Sequence, residues 1–397
     1  MSDGEYFDVV VVGGGPSGAT AAADLARAGK RVMLLDKAGR IKPCGGAIPP
    51  ALIEEFAIPP ELLVARVTSA RMVSPAGREV DMPINGGFVG MVDREHFDEW
   101  LRERAASHGA LRVTGTFEKI ARDENGRTIV HYFGADRTAE GKSVRTRLVI
   151  GADGASSKVA RQEINAAADV NYVYAYHEIV RSPDTIGGKF DESRCDVYYQ
   201  GSVSPDFYGW IFPHGKTTSV GSGTAQKGFS IRHSVTALRD VAGLGMVETI
   251  RREGAPIPMK PLKRWDNGHD VVLAGDAAGV VAPASGEGIY YAMVGGRLAG
   301  EAAVRFLETG RVAELAQART RFMKAHGRVF WILGVMQHFW YSSDKRRERF
   351  VSICRDKDVQ ELTWQAYMHK KLVRAKPLAH IRIFFKDLAH LTGISRT

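Results

Sequence analysis

Residues 7–37 read FDVVVVGGGPSGATAAADLARAGKRVMLLDK. Val9, Val10, Val11 and Val12 form an unbroken β-branched run, the pattern of a strand buried on both faces of a parallel sheet. The run leads into Gly13-x-Gly15-x-x-Gly18. Glycines at these three places allow a tight turn, close backbone approach to a pyrophosphate, and close packing of helix on strand. Residues 17–28 read as that helix, with Leu25 inward and Gly29 ending it. Its first N–H groups and positive dipole end would face the phosphates. A second apolar run, residues 31–35, ends at Asp36, where an acid can hold a ribose 2′-hydroxyl. A Gly-rich turn alone is weak evidence. Here strand, glycines, helix, second strand and acid arrive in order, and the stretch predicts an adenine dinucleotide site.

Around this stretch, 397 residues are enough for a large core and two or three lobes. A chain 44% hydrophobic and 25% charged reads as an ordinary soluble globular protein. Cys44, Cys195 and Cys354 form no CxxC pair, which argues against a zinc site or disulfide framework and fits a reducing compartment. No signal peptide is visible and no apolar run approaches the ~20 residues of a membrane-spanning helix, so the expected location is cytoplasmic. The net charge of +9 is a modest bias over this length. No basic and aromatic array suggests RNA binding, and no nucleic-acid partner or metal is expected.

Residues 40–50, RIKPCGGAIPP, are too rich in glycine and proline for helix or strand. Cys44 precedes Gly45-Gly46, so thiol and backbone can approach something closely; a small buried cysteine in a turn is the plainer reading. Residues 66–83 read as strands around the turn Ser74-Pro-Ala-Gly77, and residues 88–92 as another strand. Asp93 then caps a helix to Ser107 whose apolar face is Phe97, Trp100, Leu101 and Ala105. Arg94 sits in its first turn, unfavourable for a cation on dipole grounds, which suggests that it meets an anion. Residues 111–120, 128–133 and 146–150 read as strands of a small sheet, the last entering Gly151-Ala-Asp153-Gly154, a second strand–glycine–helix junction.

Residues 172–224 have a β pattern whose landmark is Tyr208-Gly-Trp210-Ile-Phe212-Pro213. Alternation places Tyr208, Trp210 and Phe212 on one face, either as core or as an apolar pocket wall. Residues 256–265 are basic and punctuated by proline, followed by the turn Asp266-Asn-Gly268. A buried strand then enters Gly275-Asp276-Ala-Ala-Gly279, and Pro283-Ala-Ser-Gly286-Glu-Gly288 opens a helix to about residue 307. Residues 313–338, 359–371 and 378–391 read as helices. Residues 329–341, apolar and aromatic with Lys345-Arg346-Arg347 close behind, suit a bilayer interface or a core helix with a charged end.

Taken together, residues 13–36, 151–161 and 275–279 make the chain resemble the flavoprotein superfamily of p-hydroxybenzoate hydroxylase. That resemblance implies FAD, with Gly13, Gly15, Gly18 and Asp36 on its ADP part. Asp153 falls in the middle motif, Asp276 contacts the ribitol, and Gly275, Gly279, Gly286, Gly288 and Arg94 lie beside the cofactor. Lys42-Pro-Cys44-Gly45-Gly46, Gly87-Phe-Val-Gly-Met-Val-Asp93-Arg94 and Tyr208-x-Trp210-x-Phe212-Pro213 further resemble the geranylgeranyl reductases, over essentially the whole chain. The implied fold is α/β: a Rossmann-like FAD-binding domain (1–65, 88–165 and 266–310), an antiparallel-sheet substrate domain (66–87 and 166–265) and a helical C-terminal region (311–397).

The implied activity is NADPH-linked saturation of isolated double bonds in a geranylgeranyl chain to give phytyl. The chain is carried on (bacterio)chlorophyll or as the diphosphate. Peripheral membrane attachment by residues 329–341 and a neighbouring chlorophyll synthase follow from such a substrate. An isolated alkene has no carbonyl to accept charge, so a proton must reach one carbon as hydride reaches the other. Cys44 is the expected acid, with Tyr208 as the fallback; Gly45, Gly46, Trp210 and Phe212 are expected at the substrate. A monooxygenase or halogenase on the same scaffold is the nearest rival, and a non-catalytic flavin-bearing isoprenoid carrier is a further one.

Overall fold

The computed structural model describes residues 5–37, 41–135, 141–165, 170–183 and 189–370. β1 (Tyr6–Val12), α1 (Pro16–Arg27) and β2 (Val32–Asp36) form the unit expected from the opening stretch, with Val9 to Val12 all buried. The loop read over 40–50 is mostly irregular, but it holds β3 (Ala47–Ile48) and starts α2 (Pro50–Glu55); Arg40 lies outside the described residues. β4 (Leu63–Val67), the hairpin β5 (Ser69–Val73) and β6 (Glu79–Pro83), and β7 (Val89–Val92) follow. The hairpin turns at Gly77, with φ +77°, whose N–H donates to the Ser74 carbonyl at 3.0 Å. Asp93 caps α3 (Arg94–Ser107) by accepting the Glu95 N–H at 3.0 Å, and Phe97, Leu101 and Ala105 are buried.

β8 (Leu111–Arg122), β9 (Thr128–Gly134) and β10 (Lys142–Gly151) form an antiparallel meander. The meander is not the separate small sheet expected. Residues 111–114 pair in parallel with 33–36, and 148–151 with 9–12, so each long strand serves two neighbours along its length. Beyond α4 (Lys158–Glu163) come β11 (Tyr172–Arg181), β12 (Arg194–Tyr198), β13 (Gly209–His214), β14 (Thr217–Thr224), α5 (Ile231–Val241) and β15 (Thr249–Pro258). These strands build a second sheet in the order β15-β11-β14-β13-β12-β5-β6, antiparallel except where β12 meets β5. β15 takes in the start of the proline-punctuated segment at residues 256–265. As an edge strand it tolerates Pro256 and Pro258, whose missing N–H groups weaken no central ladder.

β16 (Val271–Leu273) returns to the first sheet beside β10, giving the parallel order β8-β2-β1-β10-β16. α6 (Ile289–Thr309) packs on α1, at a distance that only glycine permits: a Cβ at Gly296 would lie 2.1 Å from the Ser17 carbonyl oxygen. α7 (Gln317–Trp340), α8 (Asp344–Ile353) and α9 (Lys357–His369) complete the described chain, α8 being a helix that the sequence reading passed over. The helix expected over 378–391 lies outside the described residues. Within α7, Phe330 is buried whereas Trp331 and Val335 are 70% and 49% exposed, so the apolar run serves both the core and the surface. Among the described residues no helix is long and apolar enough to cross a membrane.

His326 is buried on α7 against Tyr290, Tyr291 and Phe322. Burial, with Lys370 nearby, lowers its pKa to about 4, and burial likewise lowers that of His214 to about 4. Both fold as neutral imidazoles while the unfolded chain takes up protons first. Their contribution to stability is therefore full above about pH 6.5 and lost as pH falls towards 4. The urea midpoint is expected to drop between pH 7 and pH 5, and His326→Phe should flatten that dependence.

Candidate flavin groove and apolar cavity

A groove of about 450 Å³ runs along the C-terminal ends of β1 and β2. Gly13, with φ +104°, is forced by contact, since a Cβ there would sit 2.3 Å from the Ala152 carbonyl oxygen. A Cβ at Gly18 would stand 1.9 Å from the Gly13 oxygen. Gly15 differs: a Cβ there would have nothing within 4 Å, so its bare backbone faces the open groove. No side chain caps α1, leaving its first N–H groups free, and the buried Ser17 hydroxyl has no hydrogen-bond partner. Bare backbone, free donors and an orphaned hydroxyl fit the pyrophosphate of FAD.

Asp36 closes one end of the groove. It accepts the Gly14 N–H at 2.6 Å, and Arg102 lies 4.0 Å from its other oxygen. Burial pushes its carboxyl above the usual range, against the pull of the Gly14 N–H and Arg102. Arg102, missed in the sequence, also donates to the Gly14 carbonyl at 3.3 Å. The signal was there: Arg94, Asp98 and Arg102 recur at i, i+4 and i+8 on α3, a polar stripe on an inward-packed helix. Asp153 borders the groove while capping α4, accepting the Lys158 N–H at 2.7 Å and the Val159 N–H at 3.3 Å. Asp276 pairs with Lys42, a partner that its position 234 residues earlier concealed. Gly275 and Gly279, at φ +63° and +76°, shape the turn that presents Asp276, and Gly288 begins α6 beside it.

The groove adjoins a second cavity of about 340 Å³, and Pro16, Lys42, Ala255, Pro256, Asp276 and Ala292 line both. Tyr208, Trp210 and Phe212 all line this cavity, so the alternation along β13 makes one aromatic wall, with ring centroids 6.1 and 6.3 Å apart. Cys44, Gly45 and Gly46 line it too. Both glycines are required by packing: a Cβ at Gly45 would meet the Phe212 ring at 2.9 Å, and one at Gly46 would meet His214 Nε2 at 2.5 Å. Gly286, at φ +65°, passes under the Phe207 and Tyr208 rings.

The anion that Arg94 meets is Asp98, gripped at 2.7 and 2.6 Å, and its guanidinium lines the apolar cavity instead of the dinucleotide groove. Burial alone would weaken its charge, but Asp98 and the Cys44 sulfur beside it outweigh that and raise its pKa. The Tyr208 hydroxyl donates to the Ser285 carbonyl at 2.5 Å, and burial first, then neighbouring Tyr341, Cys44 and Glu287, drive its pKa far upward. It is a poor acid in this state.

Behind the wall lies a buried chain that the sequence did not reveal. Trp210 Nε1 donates to Ser219 Oγ at 3.0 Å, His177 Nδ1 meets the same oxygen at 2.9 Å, and His177 Nε2 meets Glu253 at 2.9 Å. These residues come from β13, β14, β11 and β15, neighbours only through sheet order. Gly221 on β14 is paired with Trp210 on one side and His177 on the other, and a Cβ there would lie 2.3 Å from the Trp210 ring and 2.6 Å from His177 Cβ. Gly221→Ala should therefore destabilise the fold by about 1–3 kcal/mol through overpacking, read as a lowered denaturation midpoint.

A dinucleotide groove beside an aromatic-walled apolar cavity defines the class: a flavin-linked oxidoreductase. Residues 8–154 match the FAD dependent oxidoreductase family. The chain is 59% identical over 389 residues to the geranylgeranyl diphosphate reductase of Rhodobacter capsulatus, covering 98% of each chain. It belongs to the geranylgeranyl diphosphate reductase family. A crystal structure of a geranylgeranyl bacteriochlorophyll reductase-like protein from Thermoplasma acidophilum superposes with TM-score 0.81 at 22% identity, over 93% of this chain and 98% of that one. A flavin-dependent brominase superposes with TM-score 0.74 at 15% identity, over 96% and 99% of the two chains. At such identities both show a shared fold and no more.

Proposed function

We propose that this protein uses FAD to saturate the isolated double bonds of a geranylgeranyl group, on (bacterio)chlorophyll or as the diphosphate, giving phytyl. The observation that carries this reading is the wall that the FAD groove shares with an apolar, aromatic cavity lined by the Cys44 thiol, in a chain of that family. Residues 1–65, 88–165 and 266–310 would hold FAD, residues 66–87 and 166–265 the prenyl chain, and 311–397 the helical flank. Bound FAD supplies an electron pair, as hydride, to one alkene carbon. Gly13, Gly15 and Gly18 admit its pyrophosphate, Asp36 and Arg102 hold the adenosine end, and Lys42 with Asp276 meets the other.

The Cys44 thiol gives its proton to the second alkene carbon, and Arg94 stabilises the sulfur anion left behind. Tyr208, Trp210 and Phe212 align the chain and exclude water, so charge builds in a fixed, dry surrounding. Tyr208 acts through shape, its hydroxyl committed to Ser285. NADPH is the reductant in this reading. The deciding experiment is anaerobic incubation of enzyme, NADPH and geranylgeranyl substrate, with mass spectrometry for added hydrogen pairs. Successive gains of two hydrogens are expected. Turnover only in air would point to the monooxygenase or halogenase chemistry of this scaffold, and no flavin bleaching or product at all to a non-catalytic carrier.

A membrane-resident substrate calls for peripheral attachment. Lys324, Arg328, Trp331, Val335 and His338 recur along one face of α7, basic at one end and apolar in the middle, with Trp331 and Val335 exposed. A chlorophyll synthase on the same membrane would be its neighbour. Sedimentation with anionic vesicles is expected, and Trp331→Asp should release most of the protein; wild-type protein left wholly in the supernatant at low salt would overturn the attachment.

A further inference from the structure

The apolar cavity has a charged pair at its edge to which the reduction step assigns no role. Glu287, one of the lining residues, forms an ion pair with Lys370, and the two side chains are only 9% and 3% exposed. A buried pair of this kind adds little to stability on balance, so its presence beside a dry cavity asks for another reason. Lys370 ends α9 in the left-handed region at φ +55°, strain for a residue with a side chain. Its ammonium is caged by aromatic rings, 4.0 Å from the Tyr367 centroid and 5.6 and 5.7 Å from those of Tyr290 and Tyr291. Glu287 Oε1 is buried with no hydrogen-bond partner, so it can take a proton without breaking any existing bond.

We infer that Glu287 and Lys370 are the proton store of the cavity, recharging Cys44 after each alkene is reduced; this rests on the reading of Cys44 as the acid. A chain that fills the cavity shuts out water, yet each double bond consumes one proton. After Cys44 has protonated the alkene, Lys370 gives a proton to the Glu287 carboxylate. The resulting carboxylic acid passes it to the Cys44 sulfur across the cavity that both residues line. Lys370 regains a proton from solvent between turnovers.

The test uses the holoenzyme, reduced anaerobically with dithionite and mixed with geranylgeranyl diphosphate. In Glu287→Gln, and in Glu287→Gln with Lys370→Gln, which leaves no unpaired charge, flavin oxidation in the first turnover should stay within about threefold of wild type. Sustained turnover should fall about tenfold or more, within the range of general acid–base effects. Formate should restore turnover to Glu287→Ala. First and later turnovers slowed equally, neither slowed, or no rescue by formate would each overturn the store. A Cys44→Ala enzyme with an unimpaired first turnover would instead overturn the acid, whatever Glu287 does.

Discussion

Cys44→Ala is expected to keep its FAD and to slow alkene reduction by about 10²- to 10⁴-fold, the usual size of a positioned acid's contribution. The folded frame has little reason to change. Arg94 stays bound to Asp98, and the contact of the Cys44 sulfur with backbone, from the Gly46 N–H at 3.4 Å, is weak. Alanine is smaller than cysteine and fits between Pro43 and Gly45. What disappears is the thiol in the cavity, next to the cation that would stabilise its anion. Stopped-flow oxidation of the dithionite-reduced enzyme by geranylgeranyl diphosphate, beside the flavin content of the purified protein, separates chemistry from binding. Wild-type oxidation rates in the variant would remove Cys44 from the acid role and return attention to Tyr208.

The second large effect distinguishes two glycines of one motif. Gly15→Ala should leave the apoprotein as stable as wild type, since Gly15 has ordinary dihedrals and open space at its Cβ. It should bind FAD at least about 100-fold more weakly, because the added methyl occupies the approach of the pyrophosphate to bare backbone. Gly18→Ala should fail earlier, in folding, because its Cβ would lie 1.9 Å from the Gly13 oxygen and part β1 from α1. Flavin titration with chemical denaturation of both apoproteins checks the contrast. Equal flavin affinity for Gly15→Ala and wild type would mean that the groove binds something other than a dinucleotide phosphate.

Much of this was legible along the chain because the relevant signals are local. The run Val9 to Val12, the three glycines and Asp36 describe β1, α1 and β2 within thirty residues, and period-two alternation put Tyr208, Trp210 and Phe212 on one wall. Asp93 as a cap and Gly77 as a turn were readable for the same reason, since each acts on backbone within a few residues. The meander was harder. Its strands look alike whether they form their own sheet or extend another, and pairing between residues 9–12 and 148–151 leaves no mark in either segment.

The dinucleotide-binding unit, the aromatic wall and the family could thus be read from the linear chain, because periodicity, turn chemistry and spaced motifs are properties of neighbouring residues. The pairing of distant charges could not, and it emerged with the folded arrangement alone. Lys42 with Asp276, Arg94 with Cys44, Glu287 with Lys370 and the chain from Trp210 to Glu253 each join elements far apart in the chain. A charge takes its role from the dielectric and the partner around it, and both are set by packing, after the strands have found their order.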